Sequence, residues 1–459
     1  MRELSILAAA VEAPSNDCLV ADGRVWSFAE VGARVGVAID ALRAQGVQHG
    51  GYVAITPRPD VSSAVWLYAL FELGCPAVLL HPRLSERERA AVLDEARPVH
   101  VIVEDAPTGE GLSPALDRVP DDRTLAIVYT SGSRGTPRGA MLSRRAFVAS
   151  EAGHASNLGW LPEDRWLLGM PPAHVGGLSI LTRCLIARRC VVLDPGPFDP
   201  AGAIRTMERD AVTLLSVVPT MLRRLLSSEE PPWRPVAPLR AVLVGGAAFP
   251  ESLRQRAIAA GVPALATYGC TEACSQVATQ TPDEIGLAGS GAPLEGVEVR
   301  IVDDEIQVRS ETLMQGYLST RDAEQPWSRD GWLRTGDIGA FAADGQLIVR
   351  GRLDDLIVTG GENVAPQEVE AWLESVPGIA GACVFGIDDE DWGQRVAAAV
   401  TVDASLYDAS ELGARMKDEL ATHKRPRSLA VLDVLPLNPS GKVDRAEVRA
   451  IAEGSLRPI

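Results

Sequence analysis

The chain has 459 residues, 46% hydrophobic and 23% charged, with a formal net charge of −17. That length exceeds what one ordinary core supports, so two or three domains are expected, and the composition excludes a disordered or low-complexity chain. The acidic balance excludes a general nucleic-acid or anionic-membrane surface, which needs a basic face, so an anionic ligand has to be held by local donors.

Up to about residue 120 helix and strand alternate. Ser27 is placed to cap a helix that runs to Gln45 and stops at Gly46. A strand at 52–56, a helix at 62–73 and a strand at 77–80 follow. Glu72, Gly74 and Pro76 interrupt the most membrane-like window, 61–80, which therefore reads as a buried helix and a strand rather than a span. Ser85 with Glu88 forms a capping box, and 99–103 is again a strand. Such alternation predicts a mostly parallel sheet covered by helices, with the Pro-, Gly- and Asp-rich stretch 104–123 as a surface loop. The first residues lack the apolar run of a signal peptide. The seven cysteines, odd in number and without a C-x-x-C pair, suit free thiols in a reducing cytoplasm. Cys270 and Cys274 have no third metal ligand close in sequence.

A buried-looking strand at 125–129 runs into Thr130-Ser-Gly-Ser-Arg-Gly-Thr-Pro-Arg-Gly139. Glycines let successive N–H groups converge on one anion, the hydroxyls of Thr130, Ser131 and Ser133 add donors, and arginine adds a charged fork suited to phosphate. The spacing is not that of the P-loop nucleotidases. A polar surface turn is the alternative, since Ser, Gly and Pro dominate turns.

Ser143 is placed to cap a helix through 158, and a strand near Trp166 ends in Met170-Pro-Pro-Ala-His174-Val-Gly-Gly177. Strands at 212–218 and 240–244 follow, the second running into Gly245-Gly-Ala247. Paired glycines at a strand's carboxyl end admit a flat ligand, or make only a tight turn into a helix. Then come Tyr268-Gly-Cys-Thr-Glu272, Gly331-Trp-Leu-Arg-Thr-Gly-Asp337 and Arg350-Gly-Arg-Leu-Asp-Asp355. The last hundred residues read as a small α+β unit: helices at 366–375 and 410–422, strands at 381–385, 396–402 and 429–434. It closes on Leu435-Pro-Leu-Asn-Pro-Ser-Gly-Lys442-Val-Asp-Arg445.

In this order the motifs resemble those of the adenylate-forming superfamily, the acyl-CoA ligases, luciferases and peptide-synthetase adenylation domains, from about residue 125 to 445. Two loop positions depart from the pattern [ST]SG[ST]TGxPKG: Arg134 replaces threonine and Arg138 replaces lysine. The resemblance implies an α/β N-terminal domain, 1–352, of stacked mostly parallel sheets with helices, and a small mobile α+β C-terminal domain, 353–459, swivelling at Asp354. It implies that ATP is held by Thr130, Ser131, Gly132, Ser133, Arg138, Gly246, Ala247, Gly269 and Arg352, with the Tyr268 ring facing adenine and Asp337 accepting from the ribose hydroxyls. Thr271 would meet the α-phosphate, Glu272 would ligate Mg²⁺ and Lys442 would be the catalytic lysine. For Thr271-Glu272 an ordinary helix start is the alternative. His174, Gly177, Gly245 and Ser275 would border the acid, and Gly360 and Gly361 would leave room for the pantetheine arm of CoA.

Within the superfamily, Tyr268-Gly-Cys-Thr-Glu-Ala-Cys-Ser-Gln-Val-Ala-Thr279, Met170-Pro-Pro-Ala-His-Val-Gly-Gly-Leu-Ser179 and Gly360-Gly-Glu-Asn-Val-Ala-Pro366 resemble the o-succinylbenzoate–CoA ligase branch of menaquinone synthesis. The implied chemistry is formation of an acyl-adenylate from ATP and a small carboxylic acid, followed by transfer to CoA. Arg183 is a candidate partner for a second substrate carboxylate, a structural surface role being its alternative. A ligase for another aryl or short-chain acid, an adenylation enzyme loading a carrier protein and a non-catalytic nucleotide-binding relative stay open, although Glu272, Asp337 and Lys442 argue against the last. A homodimer is common in the resembled family.

Overall fold

The most apolar stretch of the chain becomes the helix Val61–Leu73, buried on nearly every face. Asp60 caps it by accepting the Ser63 N–H at 2.7 Å, and Gly74 ends it in the left-handed conformation, φ +62°. Its one carboxylate, Glu72, accepts the Ile6 and Leu7 N–H groups at 2.6 and 3.3 Å, tying down the first helix, Ile6–Glu12. Burial raises the pKa of Glu72, against the lowering effect of these donors. The computed structural model describes residues 2–109, 118–130, 138–227, 233–235, 238–318, 325–438 and 441–459.

Two large sheets follow from the alternation. One runs in the order 292–293, 275–279, 264–270, 241–244, 214–217, 165–168, 190–193, 17–21, 24–27, parallel through its centre and antiparallel at its edges. The other has the order 316–317, 138–143, 124–130, 77–79, 53–55, 100–102. Residues alternate faces along a strand. In Ala77–Leu79, therefore, Ala77 and Leu79 enter a core shared with the first sheet, while Val78 packs toward the helix Glu86–Ala96. The shared core also takes the helices Phe28–Ala44, Val61–Leu73, Arg144–Leu158 and Val175–Ala187, which are thus sandwiched between the sheets. Among the described residues no helix is long and apolar enough to cross a membrane.

The sequence reading missed three features. A strand, Arg138–Ser143, follows the glycine-rich stretch and pairs back antiparallel on Thr124–Thr130. Asp22 and Gly23, both with positive φ, turn the hairpin Asp17–Ser27. A four-stranded antiparallel sheet, 297–302, 305–310, 333–341 and 347–352, stands beside the parallel ones. The C-terminal sheet, residues 357–458, has its own cores on its two faces, built around Val384 and Ala398 on one side and Phe385 and Ala399 on the other.

The helix Phe28–Ala44 shows how local chemistry sets these boundaries. Ser27 Oγ accepts the Glu30 N–H at 3.2 Å while Glu30 Oε2 accepts the Ser27 N–H at 2.7 Å. Ser27→Ala breaks this box and is expected to destabilise the protein by about 1 kcal/mol, read as a lower urea midpoint at unchanged slope.

Candidate active site

The carboxyl ends of the two sheets and the near face of the C-terminal unit enclose a cleft of about 2030 Å³. Thr130, Val218, Gly246 and Tyr268 reach it from four strand ends, and Arg352, Asp354 and Lys442 reach it from later in the chain.

Asp337 is the centre of the polar network. It lies opposite Arg352 in the pairing of strands Leu333–Phe341 and Leu347–Arg352, and Arg352 Nη1 donates to Oδ1 at 3.2 Å. Tyr268, near the end of strand Ala264–Cys270, donates its hydroxyl to Oδ2 at 2.7 Å. Burial raises the pKa of Asp337, with Arg352 and then Tyr268 lowering it. Lys442 lines the same part of the cleft with its side chain open to solvent: crowding by the surrounding protein lowers its pKa, and Asp337 is the strongest influence holding it up. Gly246 packs beside Lys442 and is glycine for its backbone, φ +79°, since a Cβ there would meet Lys442 Cε only at an ordinary contact distance of 3.5 Å.

Thr271 and Glu272 open a short 3₁₀ turn, Thr271–Ala273, immediately after the Tyr268 strand. The Tyr317 hydroxyl donates to Glu272 Oε1 at 2.6 Å, and the Arg138 guanidinium lies 3.6 Å from the Tyr317 ring centroid. Tyr317 thereby links the far side of the glycine-rich hairpin to the carboxylate expected to hold metal. No sequence motif marked it. Glu272 suits Mg²⁺, which prefers a hard carboxylate oxygen and fills its remaining positions with phosphate oxygens and water.

His174 stands immediately before the helix Val175–Ala187 without capping it through its side chain, and its ring stands 4.7 Å from that of His81, a residue the motifs did not flag. Burial lowers the pKa of His174 to about 3 and that of His81 to about 4, so both are neutral at physiological pH. Lys442 contributes to the shift at His174, which puts the imidazole pair within electrostatic range of the lysine.

Thr130 ends its strand opposite Arg138, and both line the cleft with Ala247 and Gly269. Ser131, Gly132, Ser133 and Arg134 lie outside the described residues. Gly177, Gly245 and Gly269 are glycine for packing: a Cβ at these positions would overlap the carbonyls of Pro171, Thr267 and Ser275. Ser275 itself starts strand Ser275–Thr279 at φ +91°. Gly360 and Gly361, both at positive φ, form the two-residue turn between strands Ile357–Thr359 and Glu362–Val364, outside the residues lining the cleft.

A surface role for Arg183 is corrected. Its side chain is buried, Nη2 donates to Ser150 Oγ at 2.8 Å, and that hydroxyl donates to the Cys274 carbonyl at 2.9 Å. The chain of bonds supports the Thr271–Ser275 turn from behind. Desolvation lowers the Arg183 pKa to about 10.

Comparison with known proteins agrees with this geometry. Residues 7–318 match the family model described as AMP-binding enzyme, and residues 368–442 match the AMP-binding enzyme C-terminal domain. The 2-succinylbenzoate–CoA ligase of Bacillus pumilus is 32% identical over 477 aligned positions, covering 97% of each chain. The o-succinylbenzoate CoA synthetase of Bacillus subtilis in complex with the acyl-adenylate intermediate superposes with a TM-score of 0.89 at 30% identity, covering 98% of both chains. The same enzyme with ATP and magnesium ion gives 0.88 at 30% identity, covering 98% of this chain and 99% of that one.

Tyr317→Phe removes the donor to Glu272 and is expected to weaken binding of Mg²⁺–ATP by about tenfold, while binding of ATP in chelator is unchanged. Isothermal titration with and without magnesium distinguishes the two.

Proposed function

The chain belongs to the AMP-binding enzyme family, and from that premise we propose that it joins 2-succinylbenzoate to CoA, cleaving ATP to AMP and diphosphate, as a step of menaquinone synthesis. The observation that carries this reading is Lys442: the last motif of the chain lines the same cleft as Asp337, within its electrostatic influence and among residues supplied by the earlier motifs.

A carboxylate cannot lose oxide, so it must first be given a better leaving group. Its oxygen attacks the α-phosphorus of ATP, and diphosphate departs. Charge grows on the equatorial oxygens, where the Lys442 ammonium and the Thr271 hydroxyl stand ready to meet it. Arg138, on the far side of the glycine-rich hairpin, is placed for the departing diphosphate. Asp337 is to accept from the ribose hydroxyls on lone pairs beyond those used by Tyr268 and Arg352. Glu272 would hold Mg²⁺, which when bound would supply charge neutralisation along the phosphates. Preorganised charge and position do this work, with little proton transfer.

In the second step the CoA thiol attacks the acyl carbon and AMP leaves. The C-terminal domain, 353–459, is read as turning about Asp354, which withdraws Lys442 and brings the Gly360-Gly361 turn to the cleft for the pantetheine arm. The outlying position of that turn supports the reading, since it has to travel to act. His174 and His81, from the ends of different sheets, are read as bordering the acid, and Arg183 as supporting that wall rather than meeting a second carboxylate. The protein is read as cytoplasmic and homodimeric.

Incubation with ATP, Mg²⁺, CoA and a panel of o-succinylbenzoate, benzoate, salicylate, hexanoate and acetate tests the assignment. Thioester is expected by mass spectrometry from o-succinylbenzoate alone, falling by at least about a hundredfold in Lys442→Ala; thioester from benzoate or hexanoate instead would keep the chemistry and sink the choice of acid. The pH profile of adenylate formation provides a second check. Protonation of Asp337 sets the acid limb above the ordinary carboxylate value of 3.8, and deprotonation of Lys442 sets the alkaline limb below the ordinary lysine value of 10.5. In Lys442→Arg whatever activity remains is expected to lose the alkaline limb, because guanidinium stays charged.

A further inference from the structure

The helix Pro219–Leu226 touches the cleft at its start and, one turn on, carries a group that the reaction does not use. Arg223 reaches from this helix to the C-terminal unit. Its Nη1 donates to the Ala380 carbonyl at 2.6 Å and its Nη2 to Glu374 Oε2 at 3.2 Å. Glu374 ends the helix Pro366–Glu374, and its other oxygen accepts the Ala382 N–H at 3.3 Å. Both partners of the guanidinium therefore stand at the start of strand Ile379–Asp389. Gly381 lies between them, where a Cβ would come within 3.2 Å of Arg223 Nη1. The missing side chain leaves room for the guanidinium against the backbone. Glu374 is withdrawn from water, its side chain 12% exposed, and Arg223 is the strongest influence opposing the rise in its pKa that burial causes.

The same helix holds the lysine loop. Thr220 Oγ1 donates to the Gly441 carbonyl at 2.8 Å, one residue before Lys442. Glu374, Ala380, Gly441 and Lys442 belong to one folded unit, so the lysine cannot leave the cleft by rotation of that unit unless the bonds to Arg223 break. Charge-assisted, two-point bonds of this kind are strong and directional, and breaking them leaves a half-buried carboxylate without its cation.

We propose that Arg223 is a positioning residue that latches the C-terminal domain in the orientation delivering Lys442, and so serves adenylate formation but not thioester formation. The proposal rests on the two-step reading above. A latch of this kind acts on the population of one orientation and leaves the chemistry of the other step untouched.

The two half-reactions separate the latch from a general structural role. Acyl-adenylate formation is followed by rapid quench with ATP and whichever acid the wild-type protein adenylates; thioester formation is followed from the synthetic acyl-adenylate and CoA. In Arg223→Ala the first is expected to fall at least about tenfold while the second stays within about twofold. Arg223→Lys, at matched melting temperature, should fall between the two proteins. The exchange Arg223→Glu with Glu374→Arg should recover part of the first rate. Equal losses in both halves, or no loss in the first, would overturn the latch. A wild-type protein that adenylates some acid other than 2-succinylbenzoate would fault the substrate assignment alone.

Discussion

A lysine crowded by protein keeps its charge most readily where opposite charge stands close by. Lys442 stands in the cleft with its side chain still open to solvent; the surrounding protein lowers its pKa, and Asp337 is the strongest influence opposing that. The carboxylate in turn depends on two groups that the fold delivers by separate routes: Arg352, through the pairing of adjacent antiparallel strands, and Tyr268, through the end of a parallel strand in another sheet. Loss of any member unbalances the rest. The cleft is thus a small electrostatic network, incomplete until three separate parts of the chain have folded against one another.

That network lets an acidic protein bind an acidic ligand. With a net charge of −17 the molecule offers ATP no attractive field. On the proposed reading, local cations carry the burden: Arg138 stacked on Tyr317, Arg352 held by Asp337, and Lys442. The two arginines are each restrained by a neighbour, so little reorganisation of them is needed when phosphate charge arrives or moves. Sheet geometry collects them, because parallel strands end on one side and their connecting turns meet in the crevice there.

The part of the site legible in the sequence was the part written in contiguous runs. Tyr268 to Glu272, Gly331 to Asp337 and Leu435 to Lys442 each pack several chemically committed residues into a few positions, and short runs survive reading in one dimension. Tyr317, His81 and Arg223 come singly, in ordinary surroundings, and matter only through a partner more than forty residues away: Glu272, His174 and Glu374. Arg183 misled for the opposite reason. A charged residue on an apolar helix suggests exposure, yet both neighbouring faces are buried and Ser150 absorbs the guanidinium's donor. The strand Arg138–Ser143 escaped notice because it opens with arginine and glycine, and its extended form comes from pairing with Thr124–Thr130 rather than from β-branched residues of its own.

By itself the sequence determined the layered α/β plan, the small α+β unit that follows it, the caps at Ser27, Ser85 and Ser143, and the order of the motifs, since hydrophobic period and turn chemistry act over a few residues. Only the tertiary structure decided that Lys442 stands inside the cleft while the Gly360-Gly361 turn stands outside it. On the two-step reading proposed above, that choice is a balance between one docked arrangement of the two units and another. It is set by contacts such as Arg223 with Glu374, whose energies depend on distance and burial across an interface that no local stretch of sequence describes.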